Sequence, residues 1–231
     1  MKLLIIVPAY NEEASLPGVI KDLREQAPYA DVLVVNDGSV DRTAVCAREQ
    51  GANLLDLPFN LGIGGAVQSG YLYADRNGYD IAIQFDGDGQ HVAGEIIKLV
   101  APIQDGRADL VIGSRFMNFG GYQAPFFRKI GIGIFSVVLS RILGMTVTDS
   151  TSGFRAANRK TIRFFARTYP DDYPEVESLI LLRKRNLNVV EVPVRMRDRT
   201  GGQSSITPIR SVYYMIKVLI AIFIDLMKKV R

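Results

Sequence analysis

Five short, mostly apolar runs recur through the first half of the chain: Leu3–Val7, Val32–Val35, Ala52–Leu55, Ile81–Phe85 and Leu110–Ile112. The segments between them, Glu13–Glu25, Asp41–Gln50, Gly64–Arg76 and Val92–Ile103, carry helical spacing; in the first, Leu16, Ile20 and Leu23 share a face. Asp41 or Ser39 is available to cap the second. Strands without polar alternation are buried on both faces, and strand–helix alternation goes with parallel pairing. The expected fold is therefore α/β, a Rossmann-like, mostly parallel sheet with helices on both faces. After the first strand stands Pro8-Ala9-Tyr10-Asn11-Glu12, with no G-x-G-x-x-G turn, which argues against a dinucleotide cofactor. A nucleotidyltransferase would want a Gly-rich basic loop at the same place, and none is present.

The fourth run ends in Asp86-Gly87-Asp88-Gly89-Gln90-His91. A buried strand here delivers two carboxylates to the carboxyl edge of the sheet, where open α/β sheets bind ligands. Two hard oxygen donors suit Mg²⁺ or Mn²⁺ carrying a diphosphate. Taken alone, Asp-x-Asp with glycines is also ordinary turn chemistry. His91 is the only histidine, and the single cysteine, Cys46, rules out an internal disulfide. Cys46 reads as a small core residue on a helix and favours a reducing compartment. The first residues lack the features of a signal peptide, so none is expected.

Residues 1–154 hold 12 Lys/Arg against 17 Asp/Glu, whereas residues 155–231 hold 16 against 7. An acidic front fits a metal site, and a basic back fits an anionic partner. No nucleic-acid motif appears, so an anionic membrane surface or a phosphorylated acceptor is favoured over nucleic acid. Residues 116–127 read as a loop, and Ile130–Met145 as an apolar helix with Ser136, Ser140 and Gly144 on one face, which permits close helix contact. Residues 174–185 read as a helix, Val189–Val194 as a strand and 198–208 as a Gly/Ser-rich basic loop. The expected organisation is a domain over 1–207 and a C-terminal amphipathic helix over 208–231. Lys217 and Asp225 interrupt that helix, leaving too short an apolar run for a membrane span. It suits an interfacial helix, docking on a membrane protein, or packing on the core or a second subunit.

Seven motifs then fall in order: Val7-Pro8-Ala9-Tyr10-Asn11-Glu12-Glu13; Asn36-Asp37-Gly38-Ser39; Asn60-x-Gly62-x-Gly64-Gly65-Ala66; Asp86 to His91; Gly113-Ser114-Arg115-Phe116; Asp149-x-x-x-Gly153-Phe154-Arg155; and Glu191-Val192-Pro193-Val194 followed by Arg199-x-x-Gly202-x-Ser204. Together they resemble the family 2 glycosyltransferases of the GT-A fold, nearest to the dolichyl-phosphate mannose synthases and bacterial polyprenyl-phosphate glycosyltransferases. The resemblance implies that Pro8, Tyr10, Glu12 and Asp37 hold the donor base and ribose. It implies Asp88 as a direct metal ligand, Gln90 as a further one, and Asp86 assisting through a metal water or a ribose contact. It also implies an inverting transfer from a nucleotide-diphosphate sugar to a polyprenyl phosphate. Arg115, Arg128 and Arg199 would position the acceptor phosphate, since a lipid phosphate is already anionic and needs cations rather than a base. Asn36 stands where the family usually has Asp, and Ser205 where it often has Lys.

The alternative acceptor is a hydroxyl of a growing cell-surface glycan, which needs a general base. Asp149, Glu175 and Glu177 are the candidates; the resemblance matches Glu177 to a carboxylate near the acceptor side, the alternative being a pair with a basic residue such as Arg155, and the alternative for Arg155 is to hold the fold through Asp149. A third reading is a non-catalytic nucleotide-sugar-binding partner. The expected location is cytoplasmic, peripheral at the inner face of the cell membrane, with contact to that surface or to a small membrane protein.

Overall fold

The structure is a computed structural model and describes residues 1–117, 136–142, 144–171, 174–197 and Lys217. The elements run β1 (Leu3–Ala9), α1 (Leu16–Gln26), β2 (Asp31–Asn36), α2 (Thr43–Glu49), β3 (Asn53–Asp56), α3 (Gly62–Arg76) and β4 (Ile81–Gln84). A 3-10 turn, Ala93–Glu95, leads into α4 (Ile96–Gln104), and β5 (Leu110–Ser114) follows. Helix α5 is described over 136–142. After it come β6 (Arg155–Asn158), α6 (Arg159–Phe165), α7 (Pro174–Lys184) and β7 (Val189–Pro193).

All seven strands join one sheet in the order β3-β2-β1-β4-β6-β5-β7. Pairing is parallel except at β6, which runs antiparallel to both β4 and β5. Side chains alternate across β1, and the two faces feed two separate cores. Leu4 and Ile6 pack with Val67 and Tyr71 of α3, Phe165 of α6 and Leu179 of α7. Leu3, Ile5 and Val7 pack with Leu16, Ile20 and Leu23 of α1 and Leu99 of α4. Both faces are thus covered by helices, as the continuous apolar runs require.

Several local expectations change. Helix α1 begins at Leu16, after a turn in which the Leu16 N–H donates to the Glu12 carbonyl, and Pro17 fits its first turn, where no amide is needed. Neither Asp41 nor Ser39 is the cap of α2: Arg42 holds that position. The Asp41 carboxylate accepts from the Thr43 and Glu13 amides, and Ser39 Oγ accepts from the Asn11 amide, so both side chains sew loops together. Cys46 is half-buried rather than core. Gly144 does not continue the small-residue face of α5. It turns the chain at φ 65°, and the hydroxyls of Ser136 and Ser140 both donate to the Val147 carbonyl. Residues 198–208 and the segment 208–231, apart from Lys217, lie outside the described residues.

Candidate active site

The register carries loop residues to one sheet edge. Ala9 is level with Asn36, so Tyr10 and Asp37 leave β1 and β2 side by side. Ile6 is level with Gln84, and the Phe85 N–H donates to the Ile6 carbonyl, so Asp86 emerges next to Pro8. Between these ends lies a cleft of about 280 Å³ lined by Pro8, Ala9, Tyr10, Glu12, Asp37, Asn60, Gly62, Ile63, Ala66, Asp86, Gly87 and Asp88. Six of the residues singled out in the sequence, Pro8, Tyr10, Glu12, Asp37, Asp86 and Asp88, therefore share one cavity.

Each is set by local bonds. Asp37 is buried; its Oδ1 accepts from the Leu61 amide at 2.7 Å, which draws the start of α3 against the end of β2. That approach needs Gly38, at φ 68°, because a Cβ there would lie 2.7 Å from the Asn60 nitrogen. Asn36 faces away from the cleft, with its amide donating to Asp56 and its carbonyl accepting from Ser39. Glu12 accepts from the Ser15 hydroxyl at 2.5 Å. Asp88 Oδ1 accepts from the Gln90 amide at 3.0 Å, closing a tight turn. Gln90 itself is half-buried and does not line the cleft.

Asp86 keeps 35% of its side-chain surface exposed, toward the cleft, while its backbone side is enclosed. Burial raises its proton affinity, opposed by the Gln84 amide and by the charges of Arg115 and Arg155. Gly153 makes room for it: a Cβ there would lie 2.8–2.9 Å from both carboxylate oxygens. His91 supports the same turn from behind. Its Nδ1 accepts from the Asp86 N–H at 3.0 Å, its ring stacks on Phe154, and burial depresses its pKa to about 4. Its Nε2 lies 3.4 Å from Asp86 Oδ2, so both ring nitrogens face Asp86 and the lone histidine braces this turn.

Arg115 departs most from expectation. It is 19% exposed, and its Nε and Nη2 form a two-pronged pair with the buried Asp149 carboxylate, both contacts at 2.7 Å. Its Nη2 also donates to Thr151 Oγ1, and its backbone N–H to Asp149. Asp149 thus belongs to Arg115 and is not held by Arg155. The Arg155 guanidinium, 1% exposed, donates to the Ser152 and Ser150 carbonyls and to Ser178 Oγ. Arg155 lies directly opposite Gln84 in the sheet. Glu177 stands half-buried in the first turn of α7 and does not line the cleft. Beside it, burial raises the proton affinity of Glu175, and the Arg155 charge opposes this. Arg128 and Arg199 lie outside the described residues.

The cleft gained residues that the sequence reading did not single out as ligand contacts: Ile63 and Ala66 of α3, within the Asn60–Ala66 motif. Their position at a helix start beside a strand end was the available signal. Among the described residues no three His, Cys, Asp or Glu side chains cluster as a metal cage.

Comparison with known proteins bears on this arrangement. A model of glycosyl transferase family 2 matches residues 4–165. UDP-N-acetylglucosamine–dolichyl-phosphate N-acetylglucosaminyltransferase of Methanococcus voltae is 32% identical, over 83% of this chain and 84% of its own. Undecaprenyl-phosphate mannosyltransferase of Micrococcus luteus is 32% identical, over 90% of this chain and 88% of its own. Among solved structures, glucosyl-3-phosphoglycerate synthase from Mycobacterium tuberculosis, in complex with Mn²⁺, UDP-glucose and phosphoglyceric acid, superposes with a TM-score of 0.70. It is 22% identical and covers 97% of this chain and 79% of that one, a likeness of GT-A fold. With that family model spanning most of the described sheet, and relatives matched over most of their length, the chain belongs to glycosyl transferase family 2 and is a glycosyltransferase.

Proposed function

We propose that this enzyme transfers a sugar, with inversion, from a nucleotide-diphosphate sugar to a polyprenyl phosphate, with Mg²⁺ or Mn²⁺ bound at Asp86 and Asp88. The observation that carries the reading is the single cleft lined at once by Asp37, Asp86 and Asp88, with the Arg115 charge felt at Asp86. The relatives named for dolichyl and undecaprenyl phosphates support the choice of acceptor, and the neighbour bound to Mn²⁺ and UDP-glucose supports a divalent ion.

The donor set suits such an ion. Mg²⁺ takes one or two carboxylates and fills its shell with waters and phosphate oxygens, so a cage of three protein groups is not needed. The space left by Gly153 keeps the Asp86 carboxylate in place at the cleft. In its bound state the ion would neutralise charge developing on the diphosphate as the sugar–phosphate bond breaks. Asp88 and Asp86 hold it, with Gln90 as a further candidate ligand. Asp37 accepts from a base N–H, and Pro8, Tyr10 and Glu12 border the base and ribose. Arg115, Arg128 and Arg199 hold the acceptor phosphate, whose oxygen attacks the anomeric carbon on the face opposite the leaving group. That oxygen is already anionic, so no proton has to be removed.

A glycan hydroxyl as acceptor is the second reading. Burial raises the proton affinity of Glu175, which suits a base, and Glu177 is its neighbour. No helix among the described residues is long and apolar enough to cross a membrane. We assign contact with a lipid surface to segment 208–231 or to a small membrane protein, at the inner face of the cell membrane. The test is donor turnover with UDP- and GDP-sugars, with and without a short polyprenyl phosphate. Lipid-dependent sugar transfer supports the first reading. Turnover that ignores the lipid and rises with a sugar acceptor moves the assignment to the second.

A further inference from the structure

Glu191, on β7, does not line the cleft, yet its carboxylate organises the backbone on both sides of Arg115. On one side, Glu191 Oε2 accepts from the Thr148 N–H at 2.8 Å and from the Thr148 hydroxyl at 2.5 Å, and Oε1 accepts from the Asp149 N–H at 3.0 Å. Two successive amides converging on one carboxylate fix the peptide from which Asp149 projects. Asp149 in turn holds the Arg115 fork and its backbone N–H. On the other side, the Thr148 hydroxyl spends its proton on Glu191, so it accepts from the Ser114 hydroxyl, 2.6 Å away. Ser114 Oγ then accepts from the Phe116 N–H at 3.1 Å. Ser114 and Phe116 are the chain neighbours of Arg115. The parallel pairing of β5 with β7, with Ile112 level with Glu191, puts the carboxylate within reach of both paths.

We infer that Glu191 is a positioning residue for the acceptor end of the site. It sets the orientation of Arg115 through Asp149 on one path and through Thr148 and Ser114 on the other. The inference rests on the proposed role of Arg115 at the acceptor. Arg115 pinned in this way is a rigid, pre-aimed donor, and such pre-organisation is what places an attacking group. A carboxylate is required because all three of its partners donate. In Glu191→Gln the amide nitrogen cannot accept, and at least one of the two backbone amides loses its partner.

The test is steady-state transfer from the accepted UDP- or GDP-sugar to a short polyprenyl phosphate by Glu191→Gln, Thr148→Val, Arg115→Ala and the double variant Glu191→Gln/Arg115→Ala. Glu191→Gln should lower kcat/KM for the lipid phosphate about 10- to 100-fold, the range for a charged hydrogen bond lost, with donor KM changed less than about threefold. Thr148→Val, which removes only the hydroxyl path, should give a smaller loss of the same kind. In the Arg115→Ala background, Glu191→Gln should cost less than about threefold, because the residue it positions is gone. Multiplicative losses in the double variant, or donor and acceptor KM rising together, overturn the positioning role while leaving the acceptor assignment standing. A wild type that ignores lipid phosphate overturns both. If Glu191→Gln does not fold, Thr148→Val alone and combined with Arg115→Ala carries the same comparison.

Discussion

Asp86 is held at the mouth of the cleft by three features that have no charge of their own to offer a ligand. These are the missing Cβ of Gly153, the Gln84 amide and the neutral His91 ring behind the turn. Gly153 and His91 each yield a prediction. Gly153→Ala places a methyl against both carboxylate oxygens. It should cost about 1–3 kcal/mol of stability as overpacking and at least about tenfold in transfer rate; wild-type activity in a folded variant would show that the carboxylate position is not critical. His91 has a folded pKa of about 4 against an ordinary 6.5. Below the ordinary value the unfolded chain takes up the proton first, so stability is full above about pH 6.5 and falls as pH drops toward 4. Between about pH 7.5 and pH 5 that linkage amounts to about 2 kcal/mol. Denaturant unfolding of wild type and His91→Gln should differ in pH dependence by that amount, and the lone imidazole resonance should not titrate above pH 5. A midpoint near 6.5 would mean that the ring is not buried against Phe154. At this scale the sequence revealed the cleft residues well, because they stand at strand ends where register alone brings them together. It did not reveal the partner of Asp149. Arg115 and Arg155 are equally basic, and the choice depends on side-chain reach across 34 residues of chain.

The strand β6 was hidden in the sequence. Its residues, Arg155-Ala-Ala-Asn158, offer a buried arginine, two small side chains and no apolar run, so neither period marked it. Helix α6 after it was also missed, although Asn158 gave a readable cap: its side chain accepts from the Thr161 amide. Strands β1, β2, β4 and β5 were legible because a strand buried on both faces has to be apolar throughout. The antiparallel insertion matters to the site, because it brings Arg155 opposite Gln84 and Gly153 against Asp86. Arg155 ties the 150–152 loop to α7 through Ser150, Ser152 and Ser178, and it opposes the proton uptake of Asp86 and Glu175. Arg155→Met should therefore lower stability by about 3–5 kcal/mol, the cost of leaving buried polar partners and carboxylates without their cation. Urea unfolding measures it, and a loss under about 1 kcal/mol would show that packing rather than the guanidinium holds β6 to α7.

Across the whole molecule, the strand ends assigned to the two halves of the reaction share one sheet edge, with the antiparallel β6 between them. The β1, β2 and β4 ends border the cleft assigned to the donor, and the β5 end carries Arg115, assigned to the acceptor. The segment after β7 links them. The Arg197 N–H donates to the Gln90 carbonyl, Met196 bridges His91, and the Arg197 side chain pairs with Asp22 of α1. The chain that leads to Arg199 is thus fastened to the Asp86–His91 turn itself. The central claim is that the two ends act together on a nucleotide sugar and a lipid phosphate. It is tested most directly by following sugar transfer from UDP- and GDP-sugars to a short polyprenyl phosphate, with Mn²⁺ or Mg²⁺, in wild type, Asp88→Ala and Arg115→Ala. The account predicts lipid-dependent transfer in wild type. Asp88→Ala should fall by about a thousandfold or more, as when one charged catalytic contact is removed, and Arg115→Ala should raise the lipid KM at least about tenfold. Transfer that proceeds equally without the lipid phosphate, or survives Asp88→Ala, would contradict it.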